Sequence, residues 1–199
     1  MTEFDKNDNI STSSVSTTES SPNVSLIMKK TSLSSAITYI LTEIIKDNEN
    51  NQIKLSKNSS TTGLPDQSST AEKSDKFKGK KTPSISIENF IKRIIKYTSL
   101  ENSTLILSLI YLDRYCEIAN VKLTKDNTHR LIMMSIITAL KFNEDDLYAN
   151  AFYAKVGGIT TEEFNHLELL FATGIQYSLF VKQEVFEKYE IYLNKFNDL

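Results

Sequence analysis

Residues 102–143 read NSTLILSLIYLDRYCEIANVKLTKDNTHRLIMMSIITALKFN. Two apolar runs, at 105–112 and 131–140, are separated by a more polar stretch. Each run is apolar on most sides of a helix, which is typical of a helix at the centre of a bundle. No segment of any length alternates apolar and polar residues with the period of a strand, so the sequence predicts an all-α protein.

Shorter helices are predicted on both sides of this centre. Ser86 is a suitable cap for a helix over 87–97, and Glu88 lies in its first turn, near the positive end of the helix dipole. A helix over about 149–156 ends at Gly157-Gly158, and Thr160 with Glu163 has the spacing of a capping box that opens the next helix. A last helix begins near residue 182. The apolar faces of these last two helices consist of Phe164, Leu167, Phe171, Ile175, Val185, Phe186, Tyr189, Tyr192 and Leu193.

The first 83 residues are mostly polar and contain all three prolines. Residues 1–24 have too few apolar side chains to offset the entropy of ordering, which predicts a disordered tail. Residues 25–50 contain the stripe Ile37, Ile40, Leu41, Ile44 and Ile45, which predicts an amphipathic helix. Residues 51–82 are rich in Asn, Ser, Thr and Lys and are interpreted as a variable linker.

Composition limits the class of partner and the compartment. The formal charge of -2 and the pI near 5.8 provide no basic excess, so nucleic acid is not expected as the main partner. The N-terminus has acids where a signal peptide has positive charge, and no apolar run approaches the length of a membrane span. An intracellular protein of the cytoplasm, the nucleus or both is expected. The single cysteine, Cys116, lies in an apolar helical pattern and is expected to pack as a small hydrophobic residue.

Catalytic signatures are weak. Glu163 and His166, with Asp126 and His129, have the carboxylate-to-imidazole spacing of di-iron helix bundles. Glu163 is already explained by the capping box, however, and the further inward-facing acids of such a site are missing. The acids at 144–146 fit a solvated loop better than a cation site. Without a phosphate-binding loop, a paired cysteine motif or a nucleophile elbow, we predict no catalytic residue, no metal, no cofactor and no small-molecule substrate.

Six short motifs occur in order along the predicted helices. They are TPSISIENFIKRI at 82–94, YLDR at 111–114, HRL at 129–131, ALKF at 139–142, YAKVGG at 153–158 and NHLE at 165–168. Together they resemble the cyclin box of the phosphate-pathway (P-type or P/U-type) cyclins over about residues 84–193. The resemblance implies a single box within residues 83–199, a five-helix bundle with an extra N-terminal helix and a C-terminal helix.

The resemblance also implies a partner, a cyclin-dependent protein kinase. In relatives of this family, a lysine at the end of the third box helix and a glutamate on the fifth bind backbone around the kinase's regulatory C helix. The matching residues are Lys141 and Glu168, and Phe142, Tyr177 and Leu179 match apolar contact positions. The expected function is activation of that kinase, in the cell cycle or in phosphate signalling. The alternative is a cyclin-like scaffold or transcription-factor-type binding module that does not activate a kinase.

Two further features are expected from the residues themselves. The three arginines of the chain all lie in the predicted box, and arginine is well suited to bidentate pairing. We therefore expect Asp113 to form a structural ion pair with Arg114 or Arg93. Ser21-Pro22 and Thr82-Pro83 have the sequence of proline-directed phosphorylation sites, although such dipeptides are common.

Overall fold

The computed structural model describes residues 22–58, 76–79 and 81–196, and for 22–32 and 55–58 it describes the backbone alone. Within these ranges the chain forms helices and no strands, which confirms the all-α prediction. The seven helices of these ranges are α1 (Pro22–Asn58), α2 (Ile87–Thr98), α3 (Asn102–Ala119), α4 (Thr128–Asn143), α5 (Asn150–Gly157), α6 (Thr161–Gly174) and α7 (Gln183–Asn194).

Helices α3 and α4 form the centre of the bundle and pack most extensively against each other. Every residue of α3 from Thr104 to Leu112 is buried, as are almost all residues of α4 from Thr128 to Leu140. Two serines are buried in this interface, and the hydroxyl of each is hydrogen-bonded. Ser108 donates to the Leu105 carbonyl at 2.7 Å and Ser135 to the Ile132 carbonyl at 2.9 Å. Because each helix satisfies its own hydroxyl, the interface stays apolar.

The predicted caps form at α2 and α6. The Ser86 hydroxyl accepts from the Asn89 amide at 3.2 Å, and the Thr160 hydroxyl accepts from the Glu163 amide at 3.1 Å. Gly158, with φ of 72°, ends α5 in the left-handed conformation that glycine tolerates. Only one of the two hydrogen bonds of a capping box forms at α6, because the Glu163 carboxylate pairs with Arg130 and does not accept from the Thr160 amide.

Helix α1 is longer than predicted. It runs from Pro22 to Asn58, into both the predicted tail and the predicted linker. Neither proline nor glycine interrupts residues 23–62, and the side chains of residues 51–54 are exposed, so polar residues extend the helix into solvent. The buried side of α1 packs on α2, α3 and α7 through Leu33, Ala36, Ile37, Leu41 and Ile45. The rest of the predicted tail, residues 1–21, lies outside the described residues.

One core residue lies in the predicted linker. Phe77 is fully buried, with its ring centroid 5.1 Å from that of Tyr115 and 6.3 Å from that of Phe171. It belongs to a non-helical segment, residues 76–79 and 81–86, which we call the strap. The strap lies against the loop between α3 and α4: the Gly79 amide donates to the Asp126 carbonyl at 2.9 Å. Residues 76–79 and 81–82 therefore contribute to the domain, in contrast to their interpretation as linker.

The structure also bears on the environment of the single cysteine and on membrane-spanning helices. Cys116 is partly buried and packs against the core. Among the helices that the structure describes, none has the length and apolar character required to cross a membrane.

Candidate functional site

Lys141 and Glu168 form an ion pair between two helices. Lys141 lies in the last turn of α4, where a cation is favoured by the helix dipole, and Glu168 lies in the middle of α6. The Lys141 Nζ is 2.5 Å from the Glu168 Oε1, and the two side chains are 30% and 24% exposed. The pair is thus accessible to a partner but less screened by water than the other lysine–glutamate pairs at the surface.

Asn150, the first residue of α5, joins this pair. Its Oδ1 accepts from Lys141 Nζ at 2.5 Å, and its Nδ2 donates to Glu168 Oε2 at 3.0 Å. The rings of Tyr153 and Phe164 lie 6.0 and 5.8 Å from the Lys141 ammonium, close enough for cation–π attraction. We call Lys141, Glu168 and Asn150 the polar cluster. It connects α4, α5 and α6, which fixes the position of both charges.

Exposed apolar side chains adjoin the polar cluster in sequence. Phe142 follows Lys141 and is 55% exposed, and Leu169 follows Glu168 and is 59% exposed. Tyr148, two residues before Asn150, is 51% exposed and stacks on Phe152 with ring centroids 4.3 Å apart. A half-buried ion pair accompanied by exposed apolar groups has the composition of a protein-binding surface.

Tyr177 and Leu179 lie on the segment between α6 and α7. The Tyr111 hydroxyl donates to the Leu179 carbonyl at 2.7 Å, and Arg114 donates to the Ser178 and Phe180 carbonyls at 2.6 and 3.1 Å. Tyr177 is 62% exposed, with φ of 53°, whereas Leu179 is half-buried against the core. The structure thus brings Lys141, Phe142 and Glu168 to one end of α4, and it holds Tyr177 and Leu179 on a segment anchored to α3.

The comparison with protein families decides the identity of this bundle. The family model described as Cyclin matches residues 31–179, which is most of the chain. The chain belongs to the cyclin family. Cyclins are regulatory proteins and not enzymes.

Plant cyclins of the P and U types are similar to this cyclin. Cyclin-P3-1 of Oryza sativa subsp. japonica is 39% identical over 132 residues, covering 66% of this chain and 56% of that protein. Two proteins of Arabidopsis thaliana are also similar. Cyclin-U4-2 is 46% identical over 108 residues (54% of this chain, 50% of the relative) and Cyclin-U4-1 is 40% identical over 120 (60% and 59%). The matched part thus spans between half and three fifths of each relative's length.

The expected ion pair of Asp113 with Arg114 or Arg93 is absent from this cyclin. Asp113 accepts a hydrogen bond from the Tyr189 hydroxyl of α7 at 2.6 Å. Arg114 binds the two carbonyls of the segment after α6, and Arg93 binds the Lys155 carbonyl near the end of α5 at 3.3 Å. Carbonyls at helix ends and in loops lack helical partners, and guanidinium groups satisfy them here. Loss of hydration raises the pKa of Asp113, an effect that the Tyr189 hydrogen bond partly offsets.

Three of the four metal ligands considered from the sequence have other partners in this cyclin. Glu163 binds Arg130, with Oε1 2.8 Å from Nε, and His129 Nε2 lies 2.9 Å from the Ile85 carbonyl oxygen. Asp126 accepts from the Thr82 hydroxyl. Across the described ranges, no three His, Cys, Asp or Glu side chains converge as metal ligands would.

Of the acids at 144–146, Asp145 and Asp146 are exposed, as expected for a solvated loop, whereas Glu144 has a different role. Glu144 Oε1 accepts from the Glu101 amide at 2.8 Å and from the Thr104 hydroxyl at 2.6 Å. It therefore caps the N-terminus of α3, where a carboxylate is favoured. Its role is structural.

Sequence reasoning missed Asn150. Nothing in the local sequence distinguishes it from a surface asparagine at a helix start, because its role depends on the convergence of α4 and α6. The two charges that it joins lie 9 and 18 positions away in the sequence.

Proposed function

We propose that this cyclin is a regulatory subunit that binds and activates a cyclin-dependent protein kinase through the polar cluster and the apolar side chains beside it. The observation that carries the proposal is the half-buried pair of Lys141 and Glu168, held at 2.5 Å. A pair serving stability alone would not require exposed neighbours such as Phe142 and Leu169. Family membership supports the choice of a kinase as the partner.

The polar cluster has hydrogen-bonding capacity left for a partner. The Lys141 ammonium has three donors, of which Asn150 and Glu168 take two. The Glu168 carboxylate retains lone pairs beyond the bonds from Lys141 and Asn150. One side of the cluster can therefore donate to unpaired carbonyls and the other can accept from unpaired amides. These are the groups that helix ends and adjoining loops offer, as around the C helix of a kinase.

Activation follows if binding favours one position of that helix. In active kinases the ion pair between a strand lysine and a C-helix glutamate must be in place. A cyclin that binds the inward position more tightly than the outward one shifts the population towards the active state. The cyclin supplies differential binding energy, and the kinase supplies all of the chemistry.

Phe142, Tyr177 and Leu179 complete the proposed surface. Phe142 and Tyr177 expose 55% and 62% of their surface, which a partner helix could cover. Leu179 is half-buried, and the hydrogen bond from Tyr111 to its carbonyl holds its backbone in place. An amphipathic helix in a groove is a common mode of recognition for such a surface.

We also propose that this cyclin acts inside the cell, in the cytoplasm, the nucleus or both, since cyclin-dependent kinases are found there. The net charge of -2 supports a protein partner over nucleic acid.

The test compares three variants in co-precipitation with a panel of purified cyclin-dependent kinases, followed by a kinase assay. Truncating the pair with Lys141→Ala and Glu168→Ala should abolish binding, because losing one partner of a desolvated interfacial charge pair costs roughly 2–5 kcal/mol. Exchanging the charges with Lys141→Glu and Glu168→Lys keeps an ion pair within the protein but reverses the positions of the positive and negative charges that face the partner. It should also abolish binding.

The matched control removes the exposed pair of Glu88 and Lys92 on α2, which are 2.6 Å apart. The double variant Glu88→Ala with Lys92→Ala should bind and activate like the wild type. If the charge-exchanged protein is folded and still activates a kinase normally, the site assignment is wrong. Stable binding without an increase in kinase activity would instead identify a scaffold.

A further inference from the structure

Thr82 has a combination of features that kinase binding does not explain. It precedes Pro83, its side chain is exposed, and it lies outside the helices. A residue before proline is restricted to extended conformations, and proline-directed kinases bind their substrates in extended form. Its hydroxyl donates to the carboxylate of Asp126, in the loop before α4. The hydroxyl is therefore both accessible and part of the contact that holds the strap.

The strap is attached to the bundle at three further points. Phe77 is buried between Tyr115 and Phe171. The Gly79 amide donates to the Asp126 carbonyl at 2.9 Å, and the Ile85 carbonyl lies 2.9 Å from His129 Nε2. Asp126 thus holds the strap twice, through its backbone and through its side chain. A change in charge at Thr82 acts directly on the residue that makes both contacts.

We infer that Thr82 is a phosphorylation site for a proline-directed serine/threonine kinase, and that its phosphate releases the strap from the loop at Asp126. In this reaction the Thr82 Oγ1 attacks the γ-phosphorus of ATP. The bond between that phosphorus and the bridging oxygen breaks, ADP leaves, and the hydroxyl proton passes to the base of the kinase. The inference goes beyond the proposed function and does not depend on it.

The electrostatics favour release. A phosphothreonine has a charge of about -1.5 to -2 and no hydroxyl hydrogen, so an attractive hydrogen bond to Asp126 becomes a repulsion. Two cations near this loop are already paired. Arg130 uses its Nε and Nη2 on Glu163, and Lys125 pairs with Glu49 at 2.9 Å. The remaining nitrogen of Arg130, Nη1, lies against the strap at Gly79, and its attraction for the phosphate opposes the repulsion from Asp126 without removing it. Lys81 is adjacent to Thr82 and exposed, so it can follow the phosphate without holding the strap in place.

The first experiment incubates the full native chain with an active mitogen-activated protein kinase and Mg-ATP, and locates phosphate by mass spectrometry. We expect phosphate on Thr82, and none at this position in Thr82→Val or Pro83→Ala. The Pro83→Ala variant is the sharper control because it keeps the hydroxyl. A kinase that is active on a standard substrate peptide but leaves Thr82 of the native chain unmodified would overturn the assignment.

The second experiment measures hydrogen exchange of the strap before and after phosphorylation. Exchange of the Gly79 amide should become roughly tenfold faster or more, because repulsion between the phosphate and the Asp126 carboxylate weakens the contact that keeps this amide hydrogen-bonded. In an Asp126→Asn chain, which keeps an acceptor oxygen without the charge, phosphorylation should change exchange much less. Equal exchange in the modified and unmodified wild-type chains would show that the phosphate does not release the strap.

Discussion

His129 is a buried histidine with one nitrogen lacking a partner. It is 8% exposed, its Nε2 lies 2.9 Å from the Ile85 carbonyl, and its Nδ1 is buried without a hydrogen bond. The edge of Phe90 approaches the ring, with centroids 5.2 Å apart. Burial lowers the pKa of His129, and the hydrogen bond to Ile85 only partly opposes this effect. Protonation would place a second N–H in a site that offers it no acceptor.

This predicts a loss of stability in mild acid. Above the ordinary histidine pKa of 6.5 the folded and unfolded chains are both neutral at this position, and His129 contributes no dependence on pH. Below 6.5 the unfolded chain takes up a proton that the folded chain resists, so the free energy of unfolding falls as pH falls. The slope should be a fraction of the ~1.4 kcal/mol per pH unit that a full proton gives. Urea unfolding at several pH values between 7.5 and 5.5 measures it.

The second histidine provides the control. His166 is exposed, so His166→Gln should leave the slope between pH 6.5 and 5.5 unchanged. His129→Gln, which keeps an N–H for the Ile85 carbonyl, should flatten it. A slope that survives His129→Gln would assign the acid sensitivity to other groups.

Single residues show where sequence reasoning about this fold stops. Phe77 is flanked by lysines in a segment without periodicity, so no helical or strand pattern identifies it as a core residue. Its burial depends on Tyr115 and Phe171, which lie on two different helices. Apolar spacing predicts which residues of a helix or strand face the core. It cannot predict the burial of a single side chain from an irregular segment that packs between two helices.

At the scale of elements, the helices and their caps were largely predictable, because they depend on local sequence. Ser86 and Thr160 cap the helices that the sequence assigns to them. Before α4, residues 125–127 form a turn and not a first helical turn. In this turn the Asn127 side chain accepts from the Thr124 amide at 2.8 Å. The cap of α3 could not be predicted, since its carboxylate comes from the end of another helix.

That cap gives the second prediction. Glu144 accepts from the N-cap residue Glu101 and from Thr104, which is the reciprocal contact of a capping box supplied from 43 and 40 residues away. Glu144→Ala leaves the buried Thr104 hydroxyl and the helix N-terminus without this acceptor. We expect the free energy of unfolding to fall by about 1–2 kcal/mol. Urea denaturation monitored by circular dichroism measures the change.

The neighbouring acid is a matched control for this experiment. Asp145 is exposed, and Asp145→Ala removes the same charge from the same loop. It should change stability by less than about 0.5 kcal/mol. Similar losses in the two variants would mean that net charge, and not the cap, is responsible.

At the scale of the whole molecule, the candidate site depends on three helices meeting. Motif resemblance identified Lys141 and Glu168 in advance, and the structure places them in contact. Asn150 could not be identified, because a polar residue between two charges becomes visible only when α4, α5 and α6 are assembled. The assembly also explains why Arg114 pairs with carbonyls: the segment after α6 passes over α3 and presents them.

The last prediction concerns α1, which we expect to unfold in the same cooperative transition as the box. Leu41 is 1% exposed and α1 packs on α2, α3 and α7, so its apolar stripe completes the core that α3 and α4 begin. Leu41→Ala should lower the free energy of unfolding of the entire chain by about 2–5 kcal/mol, as is usual for a buried leucine. Ile53→Ala, at a position of α1 that is 50% exposed, should have little effect.

Two probes distinguish cooperative unfolding from separate melting of α1. Circular dichroism reports all helices, whereas tyrosine fluorescence is undisturbed by tryptophan in this chain and comes from eight tyrosines after residue 96 and from Tyr39 of α1. Both probes are therefore applied in a Tyr39→Phe background, in which every remaining tyrosine lies outside α1. If α1 is integral, the two transitions of Leu41→Ala coincide, as they do for a two-state domain. If α1 is an appendage, helicity is lost first while the tyrosine signal stays native. Coincidence would mean that α1 and the box share one stability, so that loosening α1 weakens the proposed kinase-binding surface.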